Sequence, residues 1–285
     1  MPSLKAIKRR LSSVDSTRQI VNAMDMVSAS KLQKAKPQLE AARDFMAETS
    51  RVIIGAGKSL AAANHLFISG REVKNTLYIV ITGDRGLCGS YNQNVSDAAL
   101  SFMQTHGEGK IVTVGQQGYD FFLGREKNIA HSFTDISENA FYEDAAKVGD
   151  LAVSMFVSGE TDEVFVAYTS YESALTHTPR VDRLLPFGAD QKSRLWYETV
   201  IYEPDVHAFL ELAAPLHINA CIYAAMVEAA ACEHTARMTS MQSASDNAGE
   251  ILEELTSDYN NKRQGAVTQE ISEIVSGAKA LRKKH

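Results

Sequence analysis

The sequence predicts an α/β fold in which a Rossmann-like block with a mainly parallel sheet separates two long helices that pair as an antiparallel coiled coil. Three observations carry this prediction. The first sixty of the 285 residues contain almost no helix breaker, the middle alternates strand and helix patterns, and the last seventy keep one helical pattern. We therefore divide the chain into an N-terminal coiled-coil helix (1–70), an α/β domain (71–205) and a C-terminal coiled-coil helix (206–285).

The N-terminal helix is predicted from Leu4 to about Leu66. Pro37 is its only proline, and no glycine occurs before Gly55. Apolar residues recur at spacings of three, four or seven, which places them in one narrow stripe, as in a coiled-coil seam. The stripe contains Ile7, Leu11, Val14, Val21 and Met24.

The middle of the chain alternates between two patterns. Runs rich in β-branched and aromatic residues predict strands, and the stretches between the first three predict helices, which favours parallel strands covered by helices. The last strands follow one another directly, so part of the sheet is expected to be antiparallel. The predicted strands are 76–82, 110–114, 162–171, 180–187 and 196–202, and the helices are 92–106, 116–125 and 139–157.

The C-terminal helix is predicted from Leu216 to about Lys283, a length on the order of 100 Å. Its seam contains small residues as often as large ones, so the N-terminal helix is a better partner than a second copy of the chain. We also expect its glycines, Gly249, Gly265 and Gly277, to mark close approach of a neighbouring backbone. The seam residues are His234, Met238, Met241, Ser245, Ala248, Leu252, Leu255 and Tyr259, followed after a phase shift by Val267, Ile271, Ile274, Ala278 and Leu281.

The charge distribution indicates the kind of partner. The whole chain has a net charge of −6, yet residues 1–36 hold eight basic groups against two acids, and the last ten residues add four basic groups. Two basic ends on an acidic chain suggest an acidic protein surface or a nucleic acid as partner, and a merely solvated helix face is the alternative. We find neither a signal-peptide core nor an apolar run of about 20 residues, so a cytoplasmic, non-spanning protein is expected.

Short motifs give no catalytic site or cofactor site. GAGKS (55–59) resembles the end of a phosphate-binding loop, but Val52 stands where that motif requires glycine. GDRGLCGSYN (83–92) lies where α/β sheets bind ligands, although its glycine spacing favours a structural turn over a dinucleotide site. The three cysteines predict no disulfide framework, and the string Cys232, Glu233, His234 is a weak metal motif because neighbours on a helix point apart.

Three blocks and a junction carry a family resemblance. They are TRQIVNAMDMVSASKLQKA (17–35), GDRGLCGSYN (83–92), the long string from Glu233 to Leu281, and IYEPD (201–205). In this order they resemble the gamma, or central-stalk, subunit of bacterial F-type ATP synthases, and the similarity in layout extends over the whole chain.

The resemblance implies a rotor shaft with no active site or cofactor of its own. It implies one copy per complex, inside three alpha and three beta subunits, with epsilon and the membrane ring at its foot and no nucleic acid. The complex would lie on the cytoplasmic face of the cell membrane. A generic coiled-coil adaptor and a dinucleotide-dependent enzyme are the alternatives.

The resemblance also implies contact residues. Met24, Lys31 and Arg237 are expected to contact the alpha/beta hexamer, together with Arg263, Gln264, Thr268 and Glu270. Tyr202 and Glu203 match the foot, where family members contact the rotor ring and epsilon. Two departures stand out, because Gly265 replaces the family's usual alanine and Gly83 replaces a serine or threonine.

Overall fold

The structure, a computed structural model, describes residues 3–57, 59, 62, 64–173, 176–188 and 201–282, with side chains up to Ser276. Five strands and six helices lie in these residues. In chain order they are α1 (Leu4–Gly57), α2 (Leu66–Ser69), β1 (Thr76–Ile81), α3 (Tyr91–His106), β2 (Gly109–Val114), α4 (Gln116–Leu123), β3 (Ile129–Phe133), α5 (Tyr142–Val157), β4 (Glu163–Tyr171), β5 (His177–Leu185) and α6 (Val206–Arg282).

The five strands form one sheet in the order β3-β2-β1-β4-β5. All neighbours pair in parallel except β4 and β5, which confirms the predicted mainly parallel sheet with an antiparallel edge. Every residue of β1 is buried, as its continuous apolar run requires when helices cover both faces. Leu77, Ile79 and Ile81 share a core with α5 and the long helices, whereas Tyr78 and Val80 pack with α3 and α4.

Two strand predictions differ from the structure. Strand β3 was not predicted, because its sequence IAHSF is short and has polar residues at its centre, as suits a half-exposed edge. The predicted strand 196–202 falls largely outside the described residues, and its last two residues, Ile201 and Tyr202, are not in a strand.

Helix α1 ends, and helix α6 begins, at a different residue from the one predicted. Helix α1 ends at Gly57, within the GAGKS string, and Lys58 lies outside the described residues. Helix α6 begins at Val206, ten residues before the predicted Leu216, and continues through Pro215. The side chain of Asp205 explains the early start, since it accepts hydrogen bonds from the backbone N–H groups of His207 and Ala208 at 2.8 and 2.9 Å.

The chain divides into two compact units that cut across both long helices. The first contains residues 1–27 and 238–285, and the second contains residues 28–237. In the first unit the guanidinium carbon of Arg18 lies 3.9 Å from where a Cβ on Gly249 would be, as expected for antiparallel helices. Its buried seam residues confirm the first part of the predicted stripe, and they are Ile7, Met241, Ser245, Ala248 and Leu255. The continuation of the seam at Val267, Ile271 and Ile274 was predicted wrongly, because these side chains are exposed.

The glycine prediction was wrong. No atom lies within 4 Å of a Cβ placed on Gly265, and Gly249 faces only the Arg18 side chain at an ordinary contact distance. A side chain of the other long helix approaches Gly249 and none approaches Gly265, so neither glycine marks a close backbone approach. Gly277 lies beyond the described side chains.

The second unit contains the α/β domain, the second half of α1 and the first part of α6. The stretch 217–237 of α6 is buried almost throughout. By length and composition α6 has one window apolar enough to cross a membrane, with a mean hydropathy of 1.4, but 61% of that window is buried inside the protein. Packing against α1 and the sheet accounts for the apolar character of this stretch.

Candidate functional site

The segment of α6 from Arg263 to Ser276, here called the exposed segment, has every side chain in solvent. Its apolar residues recur at helical spacing, yet Val267 is 48% and Ile274 is 66% exposed. A helix in a globular protein normally buries such a stripe against its own core. The exposed segment therefore offers apolar and polar groups to a surface outside the described chain.

Four of the predicted hexamer contacts lie together in this segment. Arg263, Gln264, Thr268 and Glu270 occupy about two helical turns and are all exposed. The Thr268 hydroxyl donates to the Gln264 carbonyl oxygen at 2.9 Å. Within the part of the chain that the structure describes, the Arg263 guanidinium forms no ion pair. It can therefore present its planar fork of donors to a carboxylate or to carbonyl groups.

Met24 and Lys31 lie on α1, away from that segment in sequence. Met24 is half-buried, as its predicted place on the seam requires. The Lys31 ammonium pairs with a carboxylate oxygen of Glu138 at 2.7 Å, and Arg85 approaches the other oxygen at 3.5 Å. Burial alone would raise the pKa of Glu138, but the hydrogen bond from Lys31 and the positive charges of Lys31, Arg85 and Arg237 lower it below its usual value.

Arg237 lies inside the protein, where sequence reasoning had expected a surface contact. Its guanidinium bonds a Glu233 carboxylate oxygen at 2.5 Å, and it reaches the carbonyl oxygens of Arg85 and Gly86 at 3.3–3.5 Å. Both side chains are almost completely buried. The pair joins α6 to the turn after β1, and contact of Arg237 with a partner stays a prediction.

The turn after β1 explains the departure at Gly83. A Cβ on Gly83 would lie 2.7 Å from the carboxyl carbon of Glu233, so the missing side chain leaves room for that buried carboxylate. Leu87 and Gly89 take positive φ angles in the same turn. This favours the structural-turn interpretation of GDRGLCGSYN.

The Asp84 carboxylate, just after β1, bonds the backbone of two neighbouring segments. Strand order reverses at β1, and open α/β sheets bind ligands at that point, commonly at a helix N-terminus. Here the Asp84 carboxylate accepts hydrogen bonds from the backbone N–H of Gln116, at the start of α4, and from those of Asp135 and Ser137, at 2.9–3.1 Å. The protein's own carboxylate thus caps the N-terminus of α4, on the β2 side of β1.

The cysteines and histidines form no reactive site in the described residues. Burial raises the pKa of Cys88, of Cys232 and, to about 12, of Cys221, so all three remain protonated thiols. Cys232 faces the Thr169 carbonyl, and the His234 imidazole lies 3.3 Å from the Glu138 carbonyl. Among these residues no group of three His, Cys, Asp or Glu side chains could hold a metal ion.

The two predicted foot residues lie just before α6. Tyr202 is half-buried with its ring 5.0 Å from that of Phe209, whereas Glu203 is exposed. Burial raises the pKa of the Tyr202 phenol, which keeps it a neutral hydrogen-bonding group. Glu203 is the group of the two that can reach a partner without rearrangement.

Sequence reasoning missed a polar contact between both long helices and the sheet. Arg43 on α1, Glu228 on α6 and Tyr171 at the end of β4 bond one another. The three lie far apart in sequence, so no local spacing could have indicated the contact. The Glu233–Arg237 pair was missed as well, although an acid and a base four residues apart on one helix could have indicated it.

Comparison with known proteins identifies the family. The profile of the ATP synthase family matches residues 3–281. The ATP synthase gamma chain of Alkaliphilus metalliredigens is 40% identical over 98% of this chain and 99% of its own. The sodium-ion-specific ATP synthase gamma chain of Acetobacterium woodii is 37% identical over 98% and 99%.

The fold is similar to that of one chain in a solved ATP synthase complex. One chain of the Euglena gracilis mitochondrial ATP synthase, solved by cryo-EM with its c-ring, superposes with a TM-score of 0.70. It is 17% identical, and the match covers 98% of this chain and 94% of that one. With near-complete coverage by a family profile and by relatives of about 40% identity, this chain belongs to the ATP synthase gamma-chain family.

Proposed function

We propose that this gamma chain serves as the central rotor shaft of an F1Fo ATP synthase and grips the surrounding alpha and beta subunits through the exposed segment of α6. Ion flow turns the membrane ring, and the ring turns the shaft. The turning shaft then changes the conformation of the alpha and beta subunits, which couples rotation to ATP synthesis or hydrolysis.

One observation most directly supports contact of the exposed segment with the alpha and beta subunits. Between Arg263 and Ser276 an apolar stripe and a cluster of polar groups stay in solvent, although residues 217–237 of the same helix, which end about seven turns earlier, are buried. Burying that stripe in a sleeve of other subunits would gain roughly 25 cal/mol for each Å² of apolar surface. Arg263 and Gln264 would then find carboxylate or carbonyl partners in a desolvated setting, where charged hydrogen bonds are strongest.

The remaining contacts complete the proposed assembly. One gamma chain would stand within three alpha and three beta subunits, with Met24, Lys31 and Arg237 as further contacts. The α/β domain, residues 71–205, would form the foot between the two shaft segments, 1–70 and 206–285. There Tyr202 and Glu203 would meet the epsilon subunit and the c-ring, on the cytoplasmic face of the bacterial cell membrane.

We assign no catalytic role to the chain itself. The Asp84 carboxylate caps the N-terminus of α4, where an anion could otherwise bind, and the thiols are buried and protonated. These features favour a non-catalytic subunit over a dinucleotide-dependent enzyme. A generic coiled-coil adaptor would not explain a family match over residues 3–281.

Reconstitution with matching alpha and beta subunits tests the proposal. The parent chain should yield an ATPase-active complex and show no ATPase activity alone. Arg263→Ala and Gln264→Ala should lower the steady-state ATPase rate and weaken assembly, since loss of a desolvated charged contact costs about 2–5 kcal/mol. Helix content, measured by circular dichroism, should be unchanged because neither side chain packs against the rest of the chain.

Gln269→Ala is the matched control. Gln269 lies in the same exposed segment, but its amide bonds Glu273 at 3.0 Å and it is not among the proposed contacts. If Arg263→Ala and Gln264→Ala assemble and turn over like Gln269→Ala, the grip lies elsewhere. If the parent chain forms no ATPase-active complex, the shaft function itself is wrong for this chain.

A further inference from the structure

A closed set of hydrogen bonds, here called the three-way bridge, joins both long helices to the sheet. The Arg43 Nε donates to Glu228 Oε1 at 2.9 Å, and its Nη2 donates to the Tyr171 carbonyl oxygen at 2.5 Å. The Tyr171 backbone N–H donates to Glu228 Oε2 at 2.9 Å. Each of the three residues therefore bonds the other two, and each belongs to a different element.

The three-way bridge is buried on the side of Glu228 and partly exposed on the side of Arg43. The Glu228 side chain is 8% exposed, and the Arg43 side chain is 41% exposed. The Tyr171 side chain packs beside it against two apolar clusters, one of Leu32, Ala35 and Ala231 and one of Cys88, Tyr91 and Cys232. A carboxylate buried this deeply is tolerated because both of its oxygens accept hydrogen bonds.

Most neighbouring contacts of α6 are of a different kind, apart from a hydrogen bond from the Tyr91 hydroxyl to the Ala229 carbonyl oxygen at 3.0 Å. Around Glu228 the buried residues of the helix are mostly alanines, at 224, 225, 229, 230 and 231. Apolar contact is non-directional, and short side chains interdigitate little, so such a face resists separation more than it resists sliding. Hydrogen bonds with a forked guanidinium have fixed directions and oppose sliding and rotation.

We infer that Arg43 and Glu228 are positioning residues that fix the α/β domain against both shaft helices, so that torque passes between them without slippage. The inference rests on the proposed shaft function and adds the place where foot and shaft are joined. Because the bridge includes α1, α6 and the sheet, a force on the domain reaches both helices at once. The Glu233–Arg237 pair ties only α6 to the turn after β1.

The test uses the whole ATP synthase in membrane vesicles. Two quantities are measured on the same preparation, the rate of ATP hydrolysis and the membrane potential that hydrolysis generates. A potential-sensitive dye reports this potential whether the complex pumps H⁺ or Na⁺. Arg43→Met keeps the side-chain stem and removes the fork. Glu228→Gln keeps the shape, but its single amide oxygen can accept from only one of the two donors.

We expect both variants to hydrolyse ATP within about twofold of the parent when an ionophore removes the load. Without the ionophore, the membrane potential generated per ATP hydrolysed should fall at least twofold, because the α/β domain can then slip against the two long helices. Arg43→Lys, which can keep one of the two bonds, should give an intermediate ratio. This recovery, and the dependence on load, would not follow from a general loss of stability.

Leu39→Ala provides the matched control. Leu39 is buried on α1 in the main core and takes no part in the bridge, so its truncation destabilises the unit while leaving the bridge intact. Its ratio of potential to hydrolysis should equal that of the parent. The inference would be overturned if Glu228→Gln and Arg43→Met gave the same potential per ATP hydrolysed as the parent. It would also be overturned if Leu39→Ala lowered this ratio as much as they do. Failure of the parent complex to assemble would instead contradict the shaft function.

Discussion

Two stretches of one helix behave in opposite ways. Residues 217–237 of α6 are buried, including Glu228, Glu233, His234 and Arg237, whereas residues 263–276 are wholly exposed. Charged groups in the first stretch are satisfied inside the chain. The charged groups in the second stretch are surrounded mostly by solvent or bond a neighbour on the same helix. The comparison teaches that position along a continuous helix, more than residue type, decides whether a charge stabilises the fold or is available to a partner.

The largest expected effect is at Arg237. Arg237→Ala would leave the Glu233 carboxylate buried without its partner, which costs about 3–5 kcal/mol of the free energy of unfolding. Arg263→Ala, in the exposed stretch, should change it by no more than about 0.5 kcal/mol. Urea unfolding of the isolated chain measures both. Equal effects of the two substitutions would refute the contrast between the stretches.

A second expectation concerns acid. Burial lowers the pKa of His217 and His234 to about 4, against an ordinary value of 6.5. Below pH 6.5 the unfolded chain therefore binds more protons, so the stability present above pH 6.5 is lost as the pH falls towards 4. Between pH 7 and pH 5 each histidine should account for about 2 kcal/mol.

Unfolding at the two pH values checks this. His217→Gln should remove about half of the histidine-dependent loss between pH 7 and pH 5. His131→Gln, at an exposed histidine on β3, is the control and should leave the loss unchanged. An equally steep pH dependence in His217→Gln and the parent would show that this buried imidazole does not control acid sensitivity.

The smallest expected effect is a gain in stability. Gly265→Ala adds a methyl group where no atom lies within 4 Å, so its helix propensity should stabilise the chain by about 1 kcal/mol. Gly83→Ala is the contrasting substitution, because its Cβ would press on the buried Glu233 carboxylate and should destabilise the chain. Thermal melting of both variants measures the two signs. Destabilisation by Gly265→Ala would mean that the exposed segment contacts more of the chain than the structure describes.

The sequence predicted the elements with strong periodicity and missed those defined by tertiary contacts. The seam from Met241 to Leu255, strands β1 and β4, and the antiparallel edge were all predictable, because period and residue type carry the signal locally. Strand β3 was not, because its sequence lacks an apolar alternation. The start of α6 was placed too late, since Pro215 obscured the capping effect of Asp205.

The candidate site was predictable to a different degree. The family resemblance indicated Arg263, Gln264, Thr268 and Glu270, and the structure places them together on an exposed face. Nothing local revealed that Arg237 is buried, that Asp84 caps α4, or that Arg43 reaches Glu228. Each of these depends on contacts between segments far apart in the chain, which neither spacing nor composition encodes.

The antiparallel pairing of the long helices also governs when the protein can become stable during synthesis. Arg43 finds its partner Glu228 only 185 residues later, and Ile7 is buried in a unit whose other part begins at residue 238. The N-terminal helix therefore leaves the ribosome with its apolar stripe uncovered and waits for the last quarter of the chain. Contacts of such long range close slowly and leave apolar surface open to aggregation. For this protein, buried residues late in the chain, up to Leu255, complete the packing that the first residues began.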